Sequence, residues 1–79
     1  KTAWKDFEWF LDNDKQLAKR IRMLLKDILR DASGEGIGKP EKLKFDLAGC
    51  WSRRINDEHR LVYKTEKDTV FVVSCRYHY

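Results

Sequence analysis

The apolar positions of the chain change period near its midpoint, from helical spacing to strict alternation. Trp4, Phe7 and Leu11 recur three and four residues apart, with Ala3 and Phe10 beside them. That spacing predicts an amphipathic helix whose stripe faces a core. The stretch runs into Asp12-Asn13-Asp14, a polar cluster suited to ending one helix and capping the next. Leu17, Ile21, Leu24, Leu25 and Ile28 trace a second stripe, with Lys19, Arg20, Arg22 and Lys26 falling off it. So short a connection predicts a helical hairpin with both stripes on one core.

Gly34, Gly36 and Gly38, followed by Lys39-Pro40, break the helical pattern and predict a loop. No strand precedes it and no helix follows, so it is not a phosphate-binding fingerprint. From Leu43 the period is two. Leu43, Phe45 and Leu47 alternate with Lys44 and Asp46, which predicts a half-buried strand. Trp51–Ile55 and His59–Tyr63 predict two more, joined by the polar turn Asn56-Asp57-Glu58. After a turn at Glu66-Lys67-Asp68, the run from Thr69 to Cys75 is nearly continuous in apolar residues, as suits a strand in the middle of a sheet. The predicted fold is α+β, a helical hairpin packed on one face of a small antiparallel sheet.

Composition narrows the class. With 79 residues there is room for one domain, spanning 1–79. Such a chain buries only roughly 60% of its unfolded surface. The 42% hydrophobic content still supplies a core, and the 38% of charged residues are mixed in sign, which argues against disorder. The formal net charge is +4, with the excess concentrated after residue 38, and this favours a polyanion as partner. Cys50 and Cys75 lack CxxC spacing, and with His59 and His78 they fit no zinc-finger pattern, so reduced thiols and no metal are expected. No leader and no apolar run long enough to cross a bilayer is present, which predicts a soluble, cytoplasmic protein without a membrane partner.

Candidate chemistry gathers in the second half. Alternation in the hairpin from Trp51 to Tyr63 places Ser52 and Arg54 on one face and Trp51, Arg53 and Ile55 on the other. If Leu61 and Tyr63 face the helices, Arg60 and Lys64 point to the open face. A cationic sheet face with aromatic neighbours suits a phosphate backbone, although exposed charges often do little. The ending Arg76-Tyr77-His78-Tyr79 follows the last strand directly. A histidine there is a candidate proton carrier near neutral pH.

The segments GKPE, WSRRI, EHRLVY and the terminal RYHY, in that order and spacing, resemble the YoeB group within the RelE/ParE toxin superfamily. The resemblance covers essentially the whole chain, with one departure. Members of the group open with a short strand, whereas this chain opens almost directly at its first helix. The expectation is truncation or loss of that strand, with sheet order more affected than catalytic identity. The resemblance implies a ribosome-dependent endoribonuclease that cuts messenger RNA in the ribosomal A site without cofactor or metal. Glu41 would be the general base, Arg60 the phosphate stabiliser and His78 the general acid, with Arg54, Lys44 and Tyr79 holding substrate. It also implies ribosomal RNA contacts, a YefM-like antitoxin and a homodimer as partners. Two readings stay open beside it: a ParE-like gyrase-directed toxin of the same fold, and a non-catalytic RNA- or protein-binding module.

Overall fold

The computed structural model describes residues 2–31 and 35–76. In chain order these form α1 (Thr2–Asn13), α2 (Lys15–Arg30), β1 (Glu41–Lys42), a 3-10 turn (Phe45–Leu47), β2 (Trp51–Arg54), β3 (Arg60–Glu66) and β4 (Thr69–Ser74). The four strands make one antiparallel sheet in the order β1-β2-β3-β4. Both helices pack on one face of it, so the α+β architecture read from the periodicity is the observed one.

Asp14 separates the helices as expected, its carboxylate accepting the Leu17 N–H at 3.2 Å as an N-cap. The α2 stripe is also where the pattern put it, with Ala18, Ile21, Leu24 and Ile28 buried. In α1 the inward face is shifted by one position. Phe10 is fully buried and Ala3, Asp6 and Phe7 are half-buried, while Trp4 is 60% exposed and Leu11 41%. Two overlapping apolar stripes satisfy the same helical period, and the one that meets Ile21, Leu61 and Cys75 is the one that is buried. Asp6 then accepts the Cys75 N–H at 3.0 Å and ties α1 to the end of β4. Burial, and after it the Asp6 charge, push the Cys75 thiol up to about 12, so it stays protonated.

Two expected strands are corrected. Leu43–Leu47 is not extended: only Glu41–Lys42 pairs with β2, and the chain then turns. The Leu43 N–H donates to the Cys50 carbonyl at 3.0 Å, closing a loop whose backbone bonds are satisfied internally. Leu43 is buried and Leu47 half-buried, but Phe45 points out with 91% of its surface exposed. The run Thr69–Ser74 forms an edge strand among the described residues, not a central one. Val70 and Val72 pack against the core while Phe71 and Val73 stay exposed, so an unbroken apolar run here hides an alternating burial.

The largest fully buried side chain is a charged one, Arg53. Its phase in β2 puts it on the helix face with Ile55, opposite Leu61. The guanidinium meets Asp27 of α2, donates to the carbonyls of Ile37 (3.2 Å) and Glu35 (3.1 Å), and donates through Nε to the Tyr63 hydroxyl (3.0 Å). Asp27 also accepts from Arg30 and from the Ile37 N–H. The Arg30 hydrogen bond first, and Arg53 next, hold the Asp27 carboxyl at about 2, well below the usual carboxylate range.

Removing Arg53 leaves a phenol and two carbonyls without this donor and takes from Asp27 its buried cationic partner. Arg53→Met should therefore cost about 3 kcal/mol, read as a lower urea midpoint, while Arg54→Met on the opposite face should change stability by less than about 0.5 kcal/mol. Because Asp27 is depressed, its contribution is complete above pH 4 and is lost as pH falls toward about 2. Urea midpoints measured from pH 5 to pH 2 should drop for the parent chain and change less for Asp27→Asn.

Candidate active site

The face of the sheet turned away from the helices is built by register. Glu41 on β1 is partnered with Ser52 on β2, Ser52 with Val62 on β3, and Val62 with Ser74 on β4. Directly partnered residues point to the same side of a sheet, so these four form one row across it. Two residues further along, Arg54 of β2 faces Arg60 of β3. Lys64 and Phe71 form another partnered pair on this face, toward the opposite end. The register puts Glu41, Arg54, Arg60 and Lys64 on one side of the sheet; alternation had assigned Arg60 and Lys64 there, whereas Glu41 fell before the alternating segment that begins at Leu43.

Like charges directly opposite each other on adjacent strands are destabilising. Among the described residues no carboxylate forms an ion pair with Arg54 or Arg60. Arg60 is instead held by neutral acceptors, one terminal nitrogen donating to the carbonyls of Asn56 (2.7 Å) and His59 (3.1 Å). These bonds position the guanidinium, and among the described residues no carboxylate pairs with it. Two opposed guanidinium groups with no carboxylate partner among the described residues suit a phosphate, which two forks can grip together. Glu41 lies two strands and two residues along from Arg60, so the backbones are roughly 12 Å apart. That spacing leaves room for a substrate group between carboxylate and guanidinium.

The backbone before Glu41 is tightly held. The Arg54 N–H donates to the Gly38 carbonyl at 2.6 Å. Gly38 has φ +85, and a Cβ there would meet Leu24 Cδ2 at 2.8 Å and Arg53 Cβ at 3.1 Å. Only glycine suits this point, where the loop passes between α2 and β2 on its way to Pro40 and Glu41. Lys44 is exposed just beyond β1, before the 3-10 turn, and not within a strand. His78 and Tyr79 lie outside the described residues. Their approach is described only as far as Arg76, whose guanidinium sits 3.7 Å over the Trp9 ring.

Three contributors escape sequence reading. Asn56 caps the β2–β3 turn, accepting the N–H groups of Glu58 (2.9 Å) and His59 (2.7 Å) while its carbonyl holds Arg60. An asparagine opening a polar turn signals the cap, but nothing signals the grip on Arg60. His59 is buried against Phe10, with ring centroids 5.0 Å apart edge to face, and against Trp9. Arg53 supports the loop that carries Gly38, and its only signal is that it alternates in phase with Ile55.

Comparison with known proteins agrees with this layout. The whole chain, residues 1–79, matches the family described as YoeB-like toxin of bacterial type II toxin-antitoxin system. Toxin YoeB of Synechocystis is 56% identical over 77 residues, covering 98% of this chain and 88% of that protein. A YoeB-YefM complex from Staphylococcus aureus superposes with a TM-score of 0.91 at 52% identity, covering 98% of this chain and 88% of that one. A YoeB dimer from the same organism gives 0.92 at 52% identity, covering 99% and 90%.

Gly38→Ala should lower stability by about 1–2 kcal/mol from its left-handed backbone, with further loss from the approach to Leu24. Glycine at 38 is expected to outrank every other residue there in a melting-temperature series.

Proposed function

The chain belongs to the YoeB-like toxins of bacterial type II toxin-antitoxin systems, and from that premise we propose that it is a ribosome-dependent endoribonuclease that cuts messenger RNA in the A site and halts translation. The observation that supports this most is the sheet face turned away from the helices, where an exposed carboxylate, Glu41, shares one side with the opposed pair Arg54 and Arg60, with the buried Ser52 and Val62 between them. RNA brings its own nucleophile, the 2′-hydroxyl. In the proposed reaction Glu41 takes the proton from that hydroxyl as its oxygen attacks the adjacent phosphorus. Arg60, with Arg54 beside it, stabilises the added negative charge on the phosphorane. His78 delivers a proton to the departing 5′ oxygen as the P–O5′ bond breaks, leaving a 2′,3′-cyclic phosphate. Lys44 and Tyr79 hold the substrate strand. His78 and Tyr79 take these roles from the match of the RYHY ending to the family motif.

Each part answers a chemical need. A positioned acid or base typically contributes ~10²–10⁴-fold, and a preorganised cation stabilises charge that develops only in the transition state. Arginine serves better than lysine because its planar fork reaches two phosphate oxygens. A gyrase-directed toxin of the same fold would have no task for this acid–base set. The Staphylococcus aureus relative was solved with YefM and as a dimer. We extend both partners to this chain: a YefM-type antitoxin that restrains the toxin in the cytoplasm, and a second copy.

In cell-free translation, Glu41→Gln and His78→Ala should each slow messenger cleavage by about 10²–10⁴-fold while melting within a few degrees of the parent. Arrest of translation by both variants at the parent's rate would remove the nuclease reading and leave a binding module.

A further inference from the structure

Phe45 is the most exposed large apolar side chain among the described residues, at 91%, and no packing explains its place. It does not swing on a slack loop. Leu43 and Leu47 root the segment on the protein, and Leu43–Cys50 (3.0 Å), Lys44–Leu47 (3.2 Å), Phe45–Ala48 (3.0 Å) and Leu47–Cys50 (2.9 Å) backbone bonds tie it. Phe45 itself holds φ +58, a left-handed conformation that is an outlier for a bulky residue. The backbone thus holds the ring out in water at a conformational cost, and such strain gathers at functional sites.

We propose that Phe45 is a stacking platform for a nucleobase of the RNA substrate and sets which nucleotide is accepted beside the cleaved bond. The inference rests on the nuclease reading above and adds a specificity residue to it. Phe45 follows Glu41 by four residues, so the ring's backbone lies within about 14 Å of the proposed base. The exposed residues nearest Phe45 along the chain are Lys44, Asp46, Ala48 and Gly49, all charged or small. A protein partner would need an apolar patch around such a ring. A base needs only the ring face and a nearby cation for its phosphate, and Phe45 with Lys44 supplies both.

The test compares Phe45→Ala, Phe45→Leu and Phe45→Trp with the parent on programmed ribosomes, mapping cleavage at single-nucleotide resolution. Binding of a YefM-type antitoxin and melting temperature are measured alongside. Loss of the ring should raise KM for programmed ribosomes roughly 5- to 100-fold and flatten the nucleotide preference. Trp should restore both and Leu should not. Antitoxin affinity and melting temperature should hold. Equal cleavage maps for Ala and the parent, or rescue by Leu, would overturn stacking while leaving the nuclease intact. Weakened antitoxin binding with unchanged cleavage would overturn it in favour of a protein contact. No cleavage by the parent would overturn the nuclease reading and this proposal with it.

Discussion

Taking a guanidinium out of water costs several kcal/mol unless each N–H finds an acceptor, and in a 79-residue chain that requirement constrains much of the fold. Arg53 is fully buried, and its acceptors come from α2, from the segment after α2 and from β3. None is a sequence neighbour. Helix, loop and sheet must all arrive together before the charge is satisfied, so a partly assembled arrangement is penalised. The same contacts press the 35–38 segment against the sheet, where Gly38 bonds to Arg54 and the chain is aimed at Glu41. The position of the proposed base is therefore set from the opposite side of the sheet.

Adjacent arginines show how alternation divides labour. Arg53 points inward and spends its hydrogen bonds on structure. Arg54 points outward and faces Arg60. Their identical chemistry is separated only by the pleat, and a shift of one residue in register would exchange buried and exposed charges. The inner network therefore fixes the register on which the outer face depends.

How much of this was legible depended on whether local pattern decided the outcome. The helical hairpin was, because Asp14 caps where the polar cluster falls and the α2 stripe admits one reading. The faces of β2 and β3 were, because Leu61 and Tyr63 assign the inner side and Arg54, Arg60 and Lys64 follow by period two. Leu43–Leu47 was misread because an alternating pattern does not report backbone sign, and the left-handed Phe45 ends the extended chain. In the last strand the apolar run hid an alternation, since Val70 and Val72 pack inward while Phe71 and Val73 stay exposed, and apolar content alone does not report which face is covered. Arg53 was invisible as a structural residue, since its acceptors are up to 26 residues away. The roles of His78 and Tyr79 came from motif likeness alone, with the described chain ending at Arg76.

Three features work against stability, and each has its own local support. Arg54 opposes Arg60, and the latter is held by two carbonyls of the turn beside it. Phe45 has a left-handed backbone, and the loop from Leu43 to Cys50 bonds to itself around it. Lys39 also has positive φ, +51, and the Gly38 carbonyl just before it is fastened to β2. All three lie on β1–β3 or on the loops that feed them, and none touches the cluster of Phe10, Ala18, Ile21, Leu24 and Ile28 that joins the helices to the sheet. A domain with a margin of only several kcal/mol can keep such features only if they do not add to one another. The loop around Phe45 meets that condition by bonding to itself, whereas Lys39 and Arg54 are linked through the Gly38 carbonyl and therefore couple. The arrangement lets β1–β3 and their loops keep an opposed arginine pair and an exposed ring while the helical side supplies the stability that holds them in place.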